Sequence, residues 1–461
     1  MIGGRYLWHR DLSRYHWFVL AVAGLGWLFD TMDQQLFVLA RVDAMSELLA
    51  GVVPPPGKEL RDVMAAYGGY ATSIFLIGWA TGGLFFGVLG DRIGRAKTMV
   101  LTILVYSFFT GLSAFSRGFW DFAMYRFLTG LGVGGEFAVG VALVAEVMPS
   151  RARPYALGLL QALSTVGNIT AAVVSMSLGH LEQGGGLEDL VLFGTQLKAW
   201  RIMFLIGVLP ALLVIIIRRG LKEPDRWQHA VQTGDVARRA GSYAELFGHP
   251  VWRRNAIVGL VLASTGVIGL WGIAFFFPDL IDSVFRKSLA DSGLTPAQLN
   301  GTITWWKGIA SVMVNAGGFL GMFGYPYVAQ RIGRRPAFFI AFLAAMGSTL
   351  LVYSQLRTPT DVYWMLPLMG VCQFALFGGY AVYFPELFPT HLRSTGTSFC
   401  YNVGRIVAAV APTLLGKLRS DVFSDYAEPM RPAAMVMCSV FLIGILALPF
   451  APETKDQPLP E

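Results

Sequence analysis

The sequence predicts an all-α membrane protein, with twelve transmembrane helices in two pseudo-symmetric six-helix bundles. Three observations carry the prediction. Of the 461 residues, 54% are hydrophobic and only 14% charged, where a soluble chain carries roughly 25% charge. Apolar runs of about 18 residues or more recur along the whole chain, long enough to cross a ~30 Å hydrocarbon core as helices. The chain also repeats itself. "DRIGRAK" (91–97) returns as "QRIGRRP" (330–336) and "EVMPSRARP" (146–154) as "ELFPTHLRS" (386–394), each about 240 residues later.

Taken in order, the first apolar run covers 17–39 and is interrupted only by the polar stretch around Asp30 and Asp33. The second, 65–90, stops at the basic connection 91–97 with Arg92, Arg95 and Lys97. The third, 98–116, and the glycine-rich fourth, 119–148, lead to the short basic turn holding Arg151 and Arg153. The fifth covers 153–179, and the sixth, 200–218, ends at Arg218 and Arg219. A polar stretch, 219–254, separates it from the seventh run, 255–285. The eighth, 303–329, opens with Trp305, Trp306 and Lys307, which suit an interfacial anchor, and closes at Arg331, Arg334 and Arg335. The remaining runs are 337–355, 361–388, 392–416 and 431–451. Several exceed the bilayer thickness, which implies tilt or extension into water. The domain plan is therefore a bundle at 1–218, a cytoplasmic linker at 219–254 and a second bundle at 255–461.

Basic residues fall on every second connection, which places both termini in the cytoplasm. The net charge of +7 belongs to those loops and does not point to nucleic acid. The first apolar run is too long for a cleaved signal segment. Cys372, Cys400 and Cys438 all lie in apolar runs, so neither a disulfide framework nor a metal cluster is expected, and no cofactor. The loops hold no HExxH, CxxC cluster, GxSxG or Walker pattern, which argues against an enzyme. Two homologous halves with a site between them is a transporter plan. The absence of a long glycosylated loop favours a bacterial inner membrane.

The motifs identify a family resemblance. "GVLGDRIGRAK" (87–97) resembles the signature between spans 2 and 3 of the major facilitator superfamily, and "RFLTGLGVGG" (126–135) with "EVMPSRAR" (146–153) resembles span 4 and its exit in the sugar and organic-ion branches. The resemblance implies a cytoplasmic gate built from Gly87, Asp91, Arg92, Gly94, Arg95, Glu146, Arg151 and Arg153, with Arg331, Arg334, Glu386 and Arg393 from the second half. Pro326 and Gln330 stand where the second copy should have Gly and Asp, so an asymmetric latch is expected. "DTMD" (30–33) resembles the D-x-x-D of aromatic-acid:proton symporters and "VGRIVAAVAP" (403–412) their span-11 motif. "GEFAVGVALVAEVMP" is closer to sialic-acid and other metabolite:proton symporters. The superfamily default is a monomer.

Intramembrane charge locates the candidate chemistry. A carboxylate near mid-bilayer costs on the order of 3 kcal/mol, so Asp30 and Asp33 need a reason to stay. Counting helical rise puts Asp30 about 20 Å and Asp33 about 24 Å above the inner surface, and Arg126 about 10 Å below the outer one. That predicts an Asp30–Arg126 ion pair, with one of the two aspartates carrying a proton; a permanent structural pair is the competing explanation. Glu136, about 15 Å further along span 4, is expected too far from Asp30 to share a proton, and serves either as a second relay acid or in an inner gate with Arg151 or Arg153. Arg405 lies near the midplane of span 11, where its guanidinium would hold a substrate carboxylate or pair with an internal acid, and Asn402 is on a neighbouring face. Gln161 and Asn168 share a face of span 5, Gln373 and Tyr380 a face of span 10, and Trp271 lies in span 7. These complete the expected cavity. The function expected is proton-coupled symport of a small organic anion, with a sugar or polyol carrier, an organic-cation carrier and a non-transporting sensor as competitors.

Overall fold

Every crossing is helical because a backbone in lipid must satisfy its own amides and carbonyls. The computed structural model describes residues 7–51, 53, 60–183, 187, 190–192, 194–232, 241–289, 296–423 and 425–460. Spans 1 to 5 are the helices Arg14–Leu48, Leu60–Ile93, Arg95–Ser113, Phe119–Val147 and Arg153–Gln183. Span 6 is Ala199–Ile206 continued by Ala211–Gly220. Span 7 runs from Pro250–Val267 through a π-helical turn, Ile268–Ile273, into Phe277–Ser288. Spans 8, 9 and 10 are Pro296–Ile332, Arg334–Gln355 and Pro359–Tyr383. Span 11 is Arg393–Ser398, a π turn at Phe399–Val403, then Gly404–Ala408 and Ala411–Lys417. Span 12 is Met430–Met437 followed by Val440–Ala447. The all-α expectation holds, apart from a short antiparallel pair between spans 5 and 6 (Val191 opposite Gln196, Leu192 opposite Thr195).

Among the described residues, ten of these helices are long and apolar enough to cross a membrane on that basis alone. Spans 1 and 11 are the two outside that set. Span 1 is diluted by "DTMDQQ" and span 11 is broken into short pieces. Span 1 holds Asp30 and Asp33, and span 11 holds Arg405. π turns widen a helix locally and recur at functional sites.

The two halves pack alike. Span 4 lies against spans 2 and 3 as span 10 lies against spans 8 and 9, and span 1 against span 5 as span 7 against span 11. The halves meet along two seams, span 2 on span 11 and span 5 on span 8. A Cβ at Gly134 would overlap the backbone carbonyl of Trp79, so this glycine lets span 4 sit directly on span 2. The face bearing connections 91–97 and 330–336, called the basic face below, is closed by segments outside the spans. Trp8, buried in a 3₁₀ turn, donates its indole N–H to the Tyr327 hydroxyl at 2.9 Å. Its ring stacks on Tyr155, 6.1 Å between centroids, and so wedges into the 5–8 seam. In the 219–254 stretch, of which 233–240 lie outside the described residues, Trp227 donates to the Asp91 carbonyl and Tyr243 to that of Leu84. The Gly241 amide donates to the His391 carbonyl.

Candidate functional site

Arg126 pairs with Asp33, not with Asp30. Its Nη1 stands 3.7 Å from Asp33 Oδ2, and both side chains are fully buried. The guanidinium donates to Ser113 Oγ at 2.9 and 3.1 Å and to Thr129 Oγ1 at 3.0 Å. It is ringed by Phe204, Phe37 and Phe122 at 4.6, 5.6 and 6.0 Å. The predicted Asp30–Arg126 pair fails because counting rise along an upright helix does not resolve one turn, nor which way each carboxylate faces. Positions three apart differ by about 60° around the axis, and only Asp33 turns toward span 4's arginine.

Asp30 turns elsewhere. It is fully buried and accepts from Gln34 Nε2 at 3.4 Å. The charged groups in electrostatic reach of it are Glu136, Asp33 and Arg405. Glu136 is thus within electrostatic reach of Asp30, but among the described residues no hydrogen bond links the two carboxyls. A Cβ on Gly26, one turn before Asp30, would run into Glu136 Oε1, so Glu136 meets span 1 about one turn below Asp30. Nor does Glu136 join a gate with Arg151 or Arg153. Its Oε2 accepts from Thr102 Oγ1 of span 3 at 2.7 Å.

Arg405 is half-buried and lies in a different kind of pocket. Its guanidinium carbon stands 3.8 Å from the ring centre of Trp79 and 4.1 Å from that of Tyr401, and its Nη1 donates to Asn402 Oδ1 at 3.3 Å. Asn402 in turn donates to the Ser398 carbonyl and hydroxyl. Tyr401 stacks on Phe137 at 4.3 Å, Phe137 packs on Trp27 at 4.8 Å, and Gln161 is a polar neighbour of Tyr401. Spans 1, 2, 4, 5 and 11 therefore converge on one cluster. Asp30 Oδ1, Glu136 Oε1, Gln161 Oε1 and the indole N–H groups of Trp27 and Trp79 are buried there without hydrogen-bond partners among the described residues. Buried polar atoms are normally paired, so a group of unpaired ones calls for a ligand or water.

The other expected cavity residues are placed less centrally. Asn168 donates to Asn315 Oδ1 at 3.2 Å and so joins spans 5 and 8. Gln373 is buried against span 9, donating to Thr349 Oγ1 at 2.6 Å. Tyr380 donates to the Leu262 carbonyl at 2.6 Å and stacks on Phe384. Both act between helices of the second half rather than facing Arg405, since a seven-residue spacing fixes a common face but not which neighbour it meets. Trp271 is 41% exposed in the π turn of span 7.

On the basic face, charges cross between halves. Asp91, at the end of span 2, caps span 11: it accepts from the Ser394 and Thr395 amides at 3.1 and 2.8 Å and from Thr395 Oγ1 at 2.6 Å. Gly87 lies against Ser398, whose hydroxyl donates to the Gly83 carbonyl. Glu146 Oε1 joins Arg95 at 3.0 Å to Arg393 at 2.6 Å, and Arg95 also bonds Asp91 and the Thr390 carbonyl. In the second half Glu386 pairs with Arg334 at 2.9 Å, without crossing over. At the 5–8 seam Pro326 packs against Gly158. Arg92, Arg151 and Arg331 are exposed, and Arg153 is buried.

Two acids escaped the sequence reading. Glu223 accepts from the amides of Arg95, Ala96 and Lys97, and Glu453 from those of Arg334 and Arg335, so each closes the first turn of span 3 or span 9. Gly94 and Gly333, with φ of 112° and 97°, make the turns that expose those amides. Burial alone would raise Glu453, but the amides of Arg334, Arg335 and Lys455 outweigh it and hold the carboxyl below its ordinary 4.5. "KEPD" (222–225) and "PETK" (452–455), each following the last span of its half, were the available signal.

Residues 28–412 match the family described as Major Facilitator Superfamily. The chain belongs to the major facilitator superfamily. Among relatives of this transporter, a probable 4-methylmuconolactone transporter of Cupriavidus pinatubonensis is 30% identical, covering 92% of this chain and 88% of its own. The cis,cis-muconate transport protein of Acinetobacter baylyi is 28% identical over 81% and 83%. The proton:xylose symporter XylE bound to 6-bromo-6-deoxy-D-glucose shares the fold, with a TM-score of 0.71 at 17% identity, over 96% of this chain and 98% of that one. This superfamily member is a multi-pass membrane transporter of small molecules and not an enzyme.

Proposed function

We propose that the protein is a proton-coupled symporter of a small organic anion, an aromatic or other carboxylic acid. The basic face and both termini are cytoplasmic, in a bacterial inner membrane, and the chain works as a monomer. The two bundles, 1–218 and 255–461, rock about the midplane site and are joined by 219–254. The observation that carries the proposal is Arg405: among the described residues no carboxylate stands at ion-pair distance from it, whereas the other midplane cation, Arg126, has Asp33. A guanidinium in that setting needs an anion, and a planar carboxylate fits it in a two-bond fork. The names of the muconate and methylmuconolactone carriers support the same substrate class.

In the conformation described, Asp91, Arg95, Glu146 and Arg393 tie the two halves together on the side proposed to be cytoplasmic. Asp30 and Asp33 are the coupling acids, with Arg126 holding the second and Glu136 next in line toward the cytoplasm. A proton moving inward gains about 2.3 kcal/mol per 100 mV of membrane potential, which drives uptake against a gradient. The test is a thermal-shift screen of the purified carrier against carboxylates, sugars and organic cations, with Arg405→Ala beside it; a ligand at 100 times its Kd stabilises by about 2.7 kcal/mol. Carboxylates alone should stabilise the parent and lose the effect in Arg405→Ala. Equal stabilisation of both proteins by sugars or cations would refute the anion site.

A further inference from the structure

We propose that Trp79 is a substrate-positioning residue: from the opposite half of the molecule its ring holds the Arg405 guanidinium in the orientation that receives a carboxylate. The inference rests on the anion site proposed above. Arg405 belongs to span 11 and Trp79 to span 2, so the contact at 3.8 Å is made across the 2–11 seam, while Tyr401, one helical turn before Arg405, covers the guanidinium at 4.1 Å.

With the Trp79 and Tyr401 rings against it, the guanidinium has the N–H groups along its edge to offer a partner. An acceptor that lies in the guanidinium plane, as a carboxylate does, is favoured over one approaching from above. A free arginine side chain would lose much of its rotamer freedom on binding; one already held in place loses less, and binding is tighter by that difference.

The indole is itself firmly placed. Trp79 is 3% exposed, its ring meets Phe75 edge-on at 5.7 Å, and Gly134 lets span 4 press on its backbone. A tryptophan at mid-span is away from the interfacial belt where this residue usually anchors a helix, and no hydrogen bond explains it, since its N–H has no partner among the described residues. The contact with a charge does explain it, because tryptophan is the aromatic that attracts a cation most strongly.

The experiment is uptake in proteoliposomes and binding by thermal shift for Trp79→Phe, Trp79→Tyr and Trp79→Leu. The probe is whichever of cis,cis-muconate and benzoate shifts the parent more. The expected result is a graded rise in Kd and KM, about two- to threefold for Phe and Tyr and about tenfold for Leu, with the maximal rate kept. In an Arg405→Ala background the Trp79 changes should add nothing to the loss. If Trp79→Leu does not fold, the Phe and Tyr variants still decide, since they keep a ring and weaken only its pull on the charge. An unchanged Kd with a lowered maximal rate would make Trp79 a packing residue and overturn the inference, even where Arg405→Ala abolishes binding and the anion site stands. Should neither carboxylate shift the parent, or Arg405→Ala bind as the parent does, the anion site falls and Trp79's role with it.

Discussion

Arg126 and Arg405 both stand within membrane-spanning helices, and their surroundings separate them. Arg126 has an aspartate, two hydroxyls and a ring of phenylalanines, with no exposed surface. Removing one member of a buried pair leaves the other charged without compensation, at a cost of about 3–5 kcal/mol. Asp33→Asn should therefore lower the Tm of the purified protein strongly, and Asp33→Asn with Arg126→Gln should recover a large part of the loss. Asp30→Asn should leave Tm nearly unchanged, because Asp30 gives up only a 3.4 Å contact from Gln34. Equal losses from the two single changes would contradict the assignment of the pair to Asp33. That assignment was not legible in the sequence. "DTMD" offers two carboxylates at one spacing, and which one meets span 4 depends on the rotation of span 1, which no local signal sets.

At the scale of elements, the starts of spans 3 and 9 share one device. A glycine in the left-handed region turns the chain, and a glutamate from beyond the last span of the same half accepts the exposed amides. Glu453 is held below its ordinary 4.5, so the sign is fixed. Its contribution is complete above pH 4.5 and is lost as pH falls through the lower folded value. Glu453→Gln should melt at a lower temperature than the parent at pH 7, and the two curves should converge as the pH drops below 4.5. A constant difference across that range would remove the cap from the stability of span 9. The helices themselves were legible because hydropathy and basic punctuation mark them. The caps were not, because each joins residues more than a hundred positions apart through the fold.

For the whole molecule, charge on the basic face ties the halves together, while on the other side Glu47–Arg201 and Lys307–Asp282 each stay within one half. Glu146 is the central tie and Trp8 a lesser one. Spin labels at Arg151 and Arg331, both exposed and one in each half, report the separation in a background lacking the three cysteines. Glu146→Gln should move the distance distribution toward longer values, because a neutral amide holds two arginines poorly. Trp8→Ala should give a smaller shift in the same direction. An unaltered distribution in Glu146→Gln would mean that Asp91 alone keeps the side closed.

Composition, run length, basic loops and the internal repeat by themselves determined the membrane class and the spans, because these follow from the solvent the chain must cross and are written locally, and the resemblance of the loop motifs pointed to the family. The same is true of the arginine and glutamate sets at the span ends, which the repeat brought out. Tertiary structure alone decided who meets whom: Asp33 with Arg126, Glu136 against Gly26 of span 1, Gln373 and Tyr380 turned to other helices, and Trp79 under Arg405. Helix rotation and the approach of spans from opposite halves set these contacts, and both arise from packing over long sequence separations, where no periodicity in one segment carries the information.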